Sequence, residues 1–421
     1  MRRDRAREPT SSLRRRLYVL AFLDEIGPVY ALFTLWFVDN GVSAAQISTV
    51  FVMWAVLTIV LEIPSGVVAD RLDKRVVIAS AFGLRAAGIA TWFVWPTVGG
   101  LLIGGLLWAI HDAAASGAWE ALIHDELSAD GEADAYGVVI ARANQAGNVG
   151  VALGALAAIP IVASGAGIAV VGWITVAFNV LTVVLVLRLP DVRWVSDPTA
   201  VPSVTSVGPG RQFDATTDRA PTDVDDSGAG VRAALADVRR SDMAGRLLLV
   251  GSAIGGLAII DEFVPLLARV RGASDAAVPV VYVLVWLGLV LGSEIAARRP
   301  DLGPRPIAAF IAVGGIASIV AVATEPFLLL GLIAVGYAAI EVAWTIGDAR
   351  LQARLPAATR ATATSLRGVG EGIIGGAALG MVGLLSGPDD DPTAGMLILA
   401  GALLVLAALA AWAIPAASIT E

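Results

Sequence analysis

The chain has 421 residues, of which 57% are hydrophobic and 16% are charged, and its mean hydropathy is +0.77. A soluble domain carries about 25% charged residues, so this composition excludes an ordinary soluble protein and predicts an all-α membrane protein. The sequence contains no cysteine, which excludes disulfides and thiolate metal sites. The net charge of −8 comes without a basic patch, so nucleic acid is not an expected partner.

The basic N-terminus, residues 1–16, precedes an apolar stretch at about residues 17–38. This stretch is longer than the apolar core of a signal peptide, and no small-residue cleavage site follows it. We interpret it as a retained first membrane span, preceded by a cytoplasmic tail.

A span needs about 20 mostly apolar residues, and this window predicts twelve spans in two halves, residues 17–188 and 244–415. The predicted spans are residues 17–38, 46–69, 76–95, 98–123, 137–160 and 166–188, then 244–268, 278–297, 306–323, 327–348, 361–386 and 393–414. Between the halves, residues 189–243 are rich in Pro, Ser, Thr, Asp and Gly. That composition predicts a flexible cytoplasmic linker.

Basic residues cluster in the loops on one side of these spans. The positive-inside rule therefore places both termini in the cytoplasm and the chain in the cell membrane. Besides the N-terminal arginines, the cluster consists of Arg71, Lys74, Arg75, Arg298, Arg299, Arg305, Arg350, Arg354 and Arg360.

An internal repeat relates the two halves. Each half contains a Trp, then 22 residues, then Arg-x4-Gly-x2-Gly. This shared spacing indicates a duplicated six-plus-six architecture with pseudo-symmetric halves, and it favours packing of both tryptophans at the interface between the halves. The matching pairs, each 225 residues apart, are Trp119 and Trp344, Arg142 and Arg367, Gly147 and Gly372, and Gly150 and Gly375.

The pattern Asp-Glu-x-x-Pro also occurs twice, beginning at Asp24 and at Asp261. These two residues are 237 positions apart rather than 225. At ~1.5 Å per residue they lie about 25 Å and about 16 Å from the next outer loop. We therefore interpret the second pair as shallow and the repetition of the pattern as a coincidence.

The loop after the second span reads GVVADRLDKR. On Gly66, Asp70, Arg71, Lys74 and Arg75 it resembles the signature loop of the major facilitator superfamily. The resemblance, together with the repeat, implies twelve transmembrane helices and a carrier that works by alternating access. One departure is Asp73, where the family usually has glycine, and we expect this carboxylate to weaken the turn.

The resemblance also implies a cytoplasmic gate. Asp70 is expected to bind Arg367 from the other half when that side is closed. Gly66 permits close helix approach, and Glu62, one turn before it, is expected to face the same gate and pair with Arg142.

The pattern LEIPSG before the loop resembles a bacterial subgroup of the superfamily. Two features of its drug exporters are missing, an arginine in the middle of the fourth span and a Gly-Pro motif in the fifth. Export of a drug-like molecule or metabolite is the favoured interpretation. An uptake permease or facilitator is the first alternative, and a non-transporting receptor or scaffold is the second.

Ionisable residues inside a span usually mark a pathway, a relay or a pair. Asp24 and Glu25 are the first candidates for proton coupling or substrate contact, because burial favours the protonated form of a carboxyl group. The alternatives are an ion pair with Arg85 and incidental exposure to a water-filled cavity. His111 and Asp112 form either a proton relay or hydrogen bonds to neighbouring helices.

Four further acids have assigned expectations. Glu341 is a candidate substrate contact, and Glu371 is expected to pair with Arg367 on its own helix face. Asp261 and Glu262 either line an outer vestibule or form a salt bridge with Arg269.

No cofactor, catalytic constellation or metal site is predicted, since Glu120 and His124 alone are too few ligands. The expected partners are a small molecule, protons and the lipid bilayer, and the expected state is a monomer.

Overall fold

The computed structural model describes residues 10–129, 132, 135–189 and 236–415. For some helical residues within these ranges only the backbone is described, among them 10–13, 62–71, 120–121, 124–125 and 357–361. Most of the predicted tail and linker falls outside this part of the chain.

Seven helices form the N-terminal half. They are α1 Thr10–Glu25, α2 Phe33–Asp39, α3 Ala44–Arg71, α4 Lys74–Val94, α5 Val98–Ala129, α6 Tyr136–Ala163 and α7 Ile168–Leu187. The C-terminal half has another seven: α8 Asp242–Leu257, α9 Val264–Val270, α10 Val278–Arg298, α11 Pro304–Ala323, α12 Ile333–Gln352, α13 Ala357–Leu385 and α14 Thr393–Ala413. Two 3₁₀ segments, Ala258–Phe263 and Phe327–Leu332, precede α9 and α12.

Eleven segments of the described chain are long and apolar enough to cross a membrane. The segment predicted as the first span is the exception, because it is divided into α1 and α2. No described residue lies in a strand. The prediction of an all-α, multi-pass membrane protein is confirmed, and the main correction concerns the continuity of the first span in each half.

Proline interrupts both of these first spans. Pro28 has no N–H, so the carbonyl of Asp24, four residues earlier, cannot receive a helical hydrogen bond, and α1 ends at Glu25. Pro265 has the same relation to Asp261, which lies in the 3₁₀ segment between α8 and α9. The repeated Asp-Glu-x-x-Pro pattern therefore has a structural counterpart in each half, contrary to its interpretation as a coincidence.

The repeated glycines explain how the spans pack. A Cβ on Gly150 would lie 2.5 Å from the carbonyl oxygen of Phe22 on α1. A Cβ on Gly375 would lie 3.3 Å from the carbonyl oxygen of Gly256 on α8. In each half, the absence of a side chain lets α6 or α13 approach the first span closely.

The halves contact each other through α3 with α13 and through α6 with α10. The first pair is antiparallel, because Ser48 lies beside Leu379 and Ile59 lies beside Gly372. The end of α3 and the start of α13 are therefore on one side of the bundle. We call this side the terminal face, because α1 begins and α14 ends there, and the other side the opposite face.

Asp73, expected to weaken the turn before α4, instead caps that helix. Its Oδ1 accepts a hydrogen bond from the backbone N–H of Arg75 at 2.9 Å, and its Oδ2 lies 2.7 Å from Nη2 of Arg75. The hydrogen bond from the Arg75 side chain lowers the pKa of Asp73. An N-cap carboxylate stabilises a helix by satisfying a free N–H, so the departure from glycine has a favourable local role.

Replacing Asp73 with alanine removes this cap and should cost about 1 kcal/mol of stability. Asp73→Asn keeps an oxygen acceptor and should cost less. The apparent unfolding temperature of the purified protein measures both effects. An alanine variant that unfolds at the wild-type temperature would contradict the capping role.

Candidate functional site

A buried arginine, Arg85 of α4, lies at the centre of the N-terminal half and is only 3% exposed. Its Nη2 lies 2.7 Å from Oδ1 of Asp24 on α1. Its Nε donates to Oδ1 of Asn179 on α7 at 2.6 Å, and its guanidinium lies 5.0 Å from the ring centroid of Phe82. A buried charge is costly unless it is paired, so these contacts both stabilise Arg85 and join three helices.

The interruption at Pro28 supplies Arg85 with a further acceptor. Nη2 of Arg85 also donates to the backbone carbonyl of Asp24 at 2.5 Å, the carbonyl that Pro28 leaves without a helical partner. The ion pair considered as an alternative role for Asp24 is therefore present. The Asp24 side chain remains 34% exposed, so pairing leaves it accessible from the interior of the bundle.

His111 and Asp112 of α5 face the same arginine. Nε2 of His111 lies 3.9 Å from Oδ1 of Asp112 and 4.0 Å from Oδ1 of Asp24, which is beyond direct hydrogen-bond length. Oδ2 of Asp112 accepts a hydrogen bond from Nε1 of Trp54 on α3 at 3.0 Å. The structure thus brings both residues next to Asp24, and α3 supplies a neutral donor to Asp112.

Glu25 completes this group, which we call the Arg85 cluster: Asp24, Glu25, Arg85, His111 and Asp112. The Glu25 side chain has no ion pair or hydrogen bond with another described residue. Its Cγ would lie 3.0 Å from a Cβ on Gly147 of α6. Three carboxyl groups therefore share one arginine, and Glu25 is the carboxyl group with the fewest fixed partners.

Aromatic side chains surround the cluster. The rings of Tyr30 and Trp108 are 5.4 Å apart, and Trp108 lies at 5.4 Å from Trp92. The guanidinium of Arg85 is 5.9 Å from the Trp108 ring. The Tyr30 hydroxyl is buried without a hydrogen-bond partner among the described residues. The walls of the cluster are therefore mostly apolar surface.

The corresponding acid of the second half, Asp261, is held by tyrosines rather than by an arginine. Its Oδ1 lies 3.3 Å from the hydroxyl of Tyr337, and its Oδ2 lies 3.4 Å from that of Tyr282. The Tyr337 hydroxyl also donates to the carbonyl of Ala258 at 2.7 Å. The alternative salt bridge to Arg269 is not formed by Asp261, since Arg269 lies two helical turns further along at the end of α9.

A second buried arginine, Arg367 of α13, is bound within its own half. It pairs with Asp348 of α12, and its Nε lies 3.1 Å from Oε1 of Glu371. Its guanidinium is 4.5 Å from the ring centroid of Trp344, whose Nε1 donates to Glu371 at 2.9 Å. The expected proximity of Glu371 and Arg367 is therefore present, with Asp348 as an additional partner.

The repeated tryptophans do not meet at the interface between the halves. The polar contacts of Trp344 are with residues of α13. Trp119 packs against buried residues of its own half, including Leu17 and Leu122. The expectation of interface packing is thus corrected, and each tryptophan belongs to the core of one half.

Glu341, the candidate substrate contact on α12, accepts two hydroxyl hydrogen bonds. Ser293 Oγ of α10 donates to its Oε1 at 2.7 Å, and Thr345 Oγ1 donates to the same atom at 3.1 Å. These neutral donors hold the carboxyl group in place and leave its charge without a basic partner.

The residues of the predicted gate are only partly described. The side chains of Glu62, Gly66, Asp70 and Arg71 lie outside the described part of the chain, as do those of Glu120 and His124. Lys74 is the first residue of α4, and Nη1 of Arg75 donates to the carbonyl of Leu189 at 3.0 Å.

Arg142, the remaining gate residue, is exposed and lines a cavity of about 630 Å³ on the terminal-face side of α1. Phe22 lies deepest along α1 in this lining, one helical turn before Glu25. The cavity therefore points along α1 towards the Arg85 cluster. Its lining residues are Arg14, Arg15, Tyr18, Val19, Phe22, Glu132 and Arg142.

A charged contact joins the halves at the opposite face. Arg269, in the last turn of α9, pairs with Asp39 at the end of α2 and with Asp275 of its own half. The side chain of Arg269 is 23% exposed, and the carboxylates on either side raise its pKa despite partial burial.

Two hydrogen bonds accompany this ion pair. Oδ1 of Asp390 accepts from the N–H of Ala44, the first residue of α3, at 2.7 Å. Ser48 Oγ, one turn further, donates to the carbonyl of Leu379 on α13 at 2.7 Å. The φ of Asp390 is +55°, an uncommon conformation for a residue other than glycine. Together these contacts hold the two halves closed at the opposite face.

Comparison with known proteins agrees with this architecture. The family model described as Major Facilitator Superfamily matches residues 17–378. The chain belongs to the major facilitator superfamily. No curated protein sequence matches it.

Three solved structures illustrate the shared fold. The nucleoside transporter NupG has a TM-score of 0.67 at 17% identity and covers 94% of this chain and 97% of its own. An inward-facing, unoccupied bacterial homolog of the human lysosomal transporter Spinster has a TM-score of 0.68 at 16% identity, over 96% of both chains. The E. coli fucose:proton symporter FucP has a TM-score of 0.55 at 14% identity, covering 96% of this chain and 98% of its own.

Several partners in these clusters are absent from the sequence-based candidates. Asn179 could have been found, since it is a polar residue inside an apolar span. Tyr337 could have been found from the repeat, because it lies 225 residues after Asp112. No pattern in the sequence indicates that Trp54 or Tyr282 donates to a carboxyl group, because that depends on helix rotation.

The opposite-face closure can be tested on Arg269, because the chain has no native cysteine and a single reporter cysteine is specific. Ser48→Cys places the reporter at a position that is 2% exposed. Adding Arg269→Gln removes the charged contact between the halves and should increase maleimide labelling at this site several-fold.

Arg298→Gln is the matched control, since Arg298 is an exposed arginine at the far end of α10, paired along its own helix with Glu294. It should leave labelling at the wild-type rate. Equal labelling in all three backgrounds would show that Arg269 does not hold the opposite face closed.

Proposed function

We propose that this protein is a proton-coupled secondary transporter that exports a small molecule across the cell membrane by alternating access. The observation that supports this most directly is the Arg85 cluster, in which three carboxyl groups share one buried arginine. Membership of the superfamily supplies the general mechanism, in which two halves rock around a central site.

The charge balance of the cluster favours proton coupling. Arg85 compensates one carboxylate, and Asp24 is the one bound through its side chain at 2.7 Å. The two remaining carboxyl groups have no basic partner, and two further negative charges in a low-dielectric interior are costly. One proton must therefore be taken up by the cluster, and Glu25, which lacks a fixed donor, is the proposed carrier.

Asp112 and His111 have supporting roles in this proposal. The hydrogen bond from Trp54 favours the ionised form of Asp112, which leaves Glu25 as the group that changes protonation. His111 lies between Asp24 and Asp112 and is placed to pass a proton between them. Glu341 is the proposed substrate contact from the other half.

The contacts at the opposite face support assignment of this arrangement to the inward-facing state. By the positive-inside rule, the terminal face with its arginines is the cytoplasmic side. In the outward-facing state, Arg367 would leave Asp348 and bind Asp70, so that the signature loop closes the cytoplasmic side, where Gly66, Arg71 and Glu62 also lie.

Uptake of a nutrient by the same fold is the alternative, and FucP is by its name a symporter. A non-transporting receptor or scaffold is a third possibility that the charged interior disfavours, because a structural bundle has no use for uncompensated carboxyl groups. Inverted membrane vesicles distinguish export from uptake, since an exporter accumulates its substrate in them when the lumen is acidified.

The coupling assignment predicts a specific defect for Glu25→Gln. Glutamine resembles the protonated carboxyl group and cannot release a proton, so gradient-driven transport should fall at least tenfold. Exchange of labelled for unlabelled substrate needs no net proton movement and should continue. A toxicity panel in a pump-deficient bacterial host identifies the substrate, and inverted vesicles then measure both activities.

Glu294→Gln provides the matched control, because Glu294 is an exposed acid near the terminal end of α10, paired with Arg298. Gradient-driven transport that survives in Glu25→Gln, or exchange that is lost together with it, would contradict the assignment of Glu25 as the proton carrier.

The gate proposal predicts an effect on accessibility at both faces. Asp70→Asn removes the proposed outward-state partner of Arg367 and should shift the protein towards the inward-facing state. Labelling of Tyr18→Cys in the terminal-face cavity should rise, and labelling of Ser48→Cys should fall. Unchanged labelling at both positions would eliminate the gate.

A further inference from the structure

Carboxyl groups outnumber basic groups in the membrane interior. Among the described side chains remote from the span ends, only Arg85 and Arg367 are basic. Both are buried and already paired with carboxylates of their own half. The acids in the same region are Asp24, Glu25, Asp112, Asp261, Glu262, Glu341 and Glu371.

This balance restricts the charge of the substrate. An anionic substrate would need a free basic group to compensate its charge, and the described interior offers none that is not already bound. It would also meet repulsion from several carboxyl groups at short range, where the low dielectric strengthens the interaction. A cation would relieve the excess of negative charge.

A buried histidine points to a ligand position within the Arg85 cluster. His111 is 3% exposed, and its Nδ1 has no hydrogen-bond partner among the described residues. Its Nε2 faces the gap between Asp24 and Asp112, at 4.0 Å and 3.9 Å. A polar group this buried normally has a partner, so the gap bounded by the three side chains is a place for a bound group.

The walls of this region suit an organic cation better than a metal ion. The Tyr30 and Trp108 rings lie 5.4 Å apart, and aromatic faces attract ammonium and similar cations. The arginine beside Asp24 would repel a small metal ion that sought the same oxygen atoms. The apolar rings instead provide contact area for an aromatic or aliphatic body.

The arginines of the terminal-face cavity do not exclude a cation. Arg15 and Arg142 are exposed to solvent, and Arg14 pairs with Glu132. Charges in water are screened over about 8 Å at physiological ionic strength, whereas the interior carboxyl groups are screened much less. The deeper charges therefore decide which ligand binds.

We propose that the substrate is a monovalent organic cation with an aromatic or apolar body, bound at Glu25 between the Tyr30 and Trp108 side of the cluster and the second half. This inference rests on the proposed function and names its substrate class. Binding of the cation requires the carboxylate form of Glu25, so the proton on Glu25 leaves when the cation binds. One proton is exchanged for each monovalent cation, and the net charge of the site is the same in both loaded states.

Competition between proton and cation makes binding dependent on pH. On α6, the nearest contacts to Glu25 are at Gly147, and Arg142 lies further towards the terminal face. The titratable or charged groups around Glu25 on its own and neighbouring elements are Asp24, Tyr30, Arg85, His111, Asp112 and Arg142. Acidification should weaken cation binding at Glu25 and should have no such effect once Glu25 is replaced.

The test is equilibrium binding of radiolabelled tetraphenylphosphonium to the purified full-length protein in detergent. Tetraphenylborate has the same shape with the opposite charge, and tetraethylammonium is a smaller cation. Saturable binding of at least one of the cations, without saturable binding of tetraphenylborate, is expected. The affinity should fall at least tenfold in Glu25→Gln and be retained in Glu25→Asp and in the control Glu294→Gln.

Three results would overturn the proposal: tetraphenylborate binds as tightly as the cation, neither cation binds, or Glu25→Gln binds the cation like the wild type at both pH 7.5 and pH 5.5. Because binding is measured without a gradient, the two proposals can fail separately. Cation binding without gradient-driven transport would refute coupling alone. Gradient-driven transport of a neutral or anionic compound without cation binding would refute the substrate class alone.

Discussion

The ion pair between Arg85 and Asp24 is the interaction on which the arrangement of the N-terminal half depends. Pro28 deprives the carbonyl of Asp24 of its helical donor, and Arg85 binds both this carbonyl and the carboxylate. Breaking a buried pair by removing one partner typically costs 3–5 kcal/mol. The same arginine reaches Asn179 on α7, so a single side chain fixes where the first span is interrupted and how three helices meet.

The second half uses the same interruption with different chemistry. Tyr30 precedes Gly41 by 11 residues, and Asp261 precedes Gly272 by 11, so these two positions correspond. Asp112 and Tyr337 correspond through the 225-residue repeat. Acid and tyrosine have thus changed places between the halves. The first half has charges around an arginine, and the second has an acid held by neutral hydroxyl groups, which gives a symmetric fold two unequal interior surfaces.

Sequence patterns predict the fold well because a bilayer imposes simple rules on span length and loop charge. The repeat also identifies Gly150 and Gly375, whose role is a local close approach. The interruption of the first span was missed, although Pro28 and Pro265 signal it, because hydropathy does not register a lost hydrogen bond. The partners of the acids were mostly missed, because helix rotation and the tilt of neighbouring spans decide whether Asp112 meets Trp54 or Asp261 meets Tyr282.

The two buried arginines differ in what a change of state requires of them. Arg85 bonds to α1, α4 and α7 of one half, so it can stay in place while the halves rock. Arg367 is bound to Asp348 and Glu371, close to where α13 meets α3 of the other half. Its partners can be exchanged across that boundary at little net cost, because one carboxylate replaces another. The fold therefore separates a fixed charge cluster, suited to holding a proton or a ligand, from a movable one suited to closing a gate.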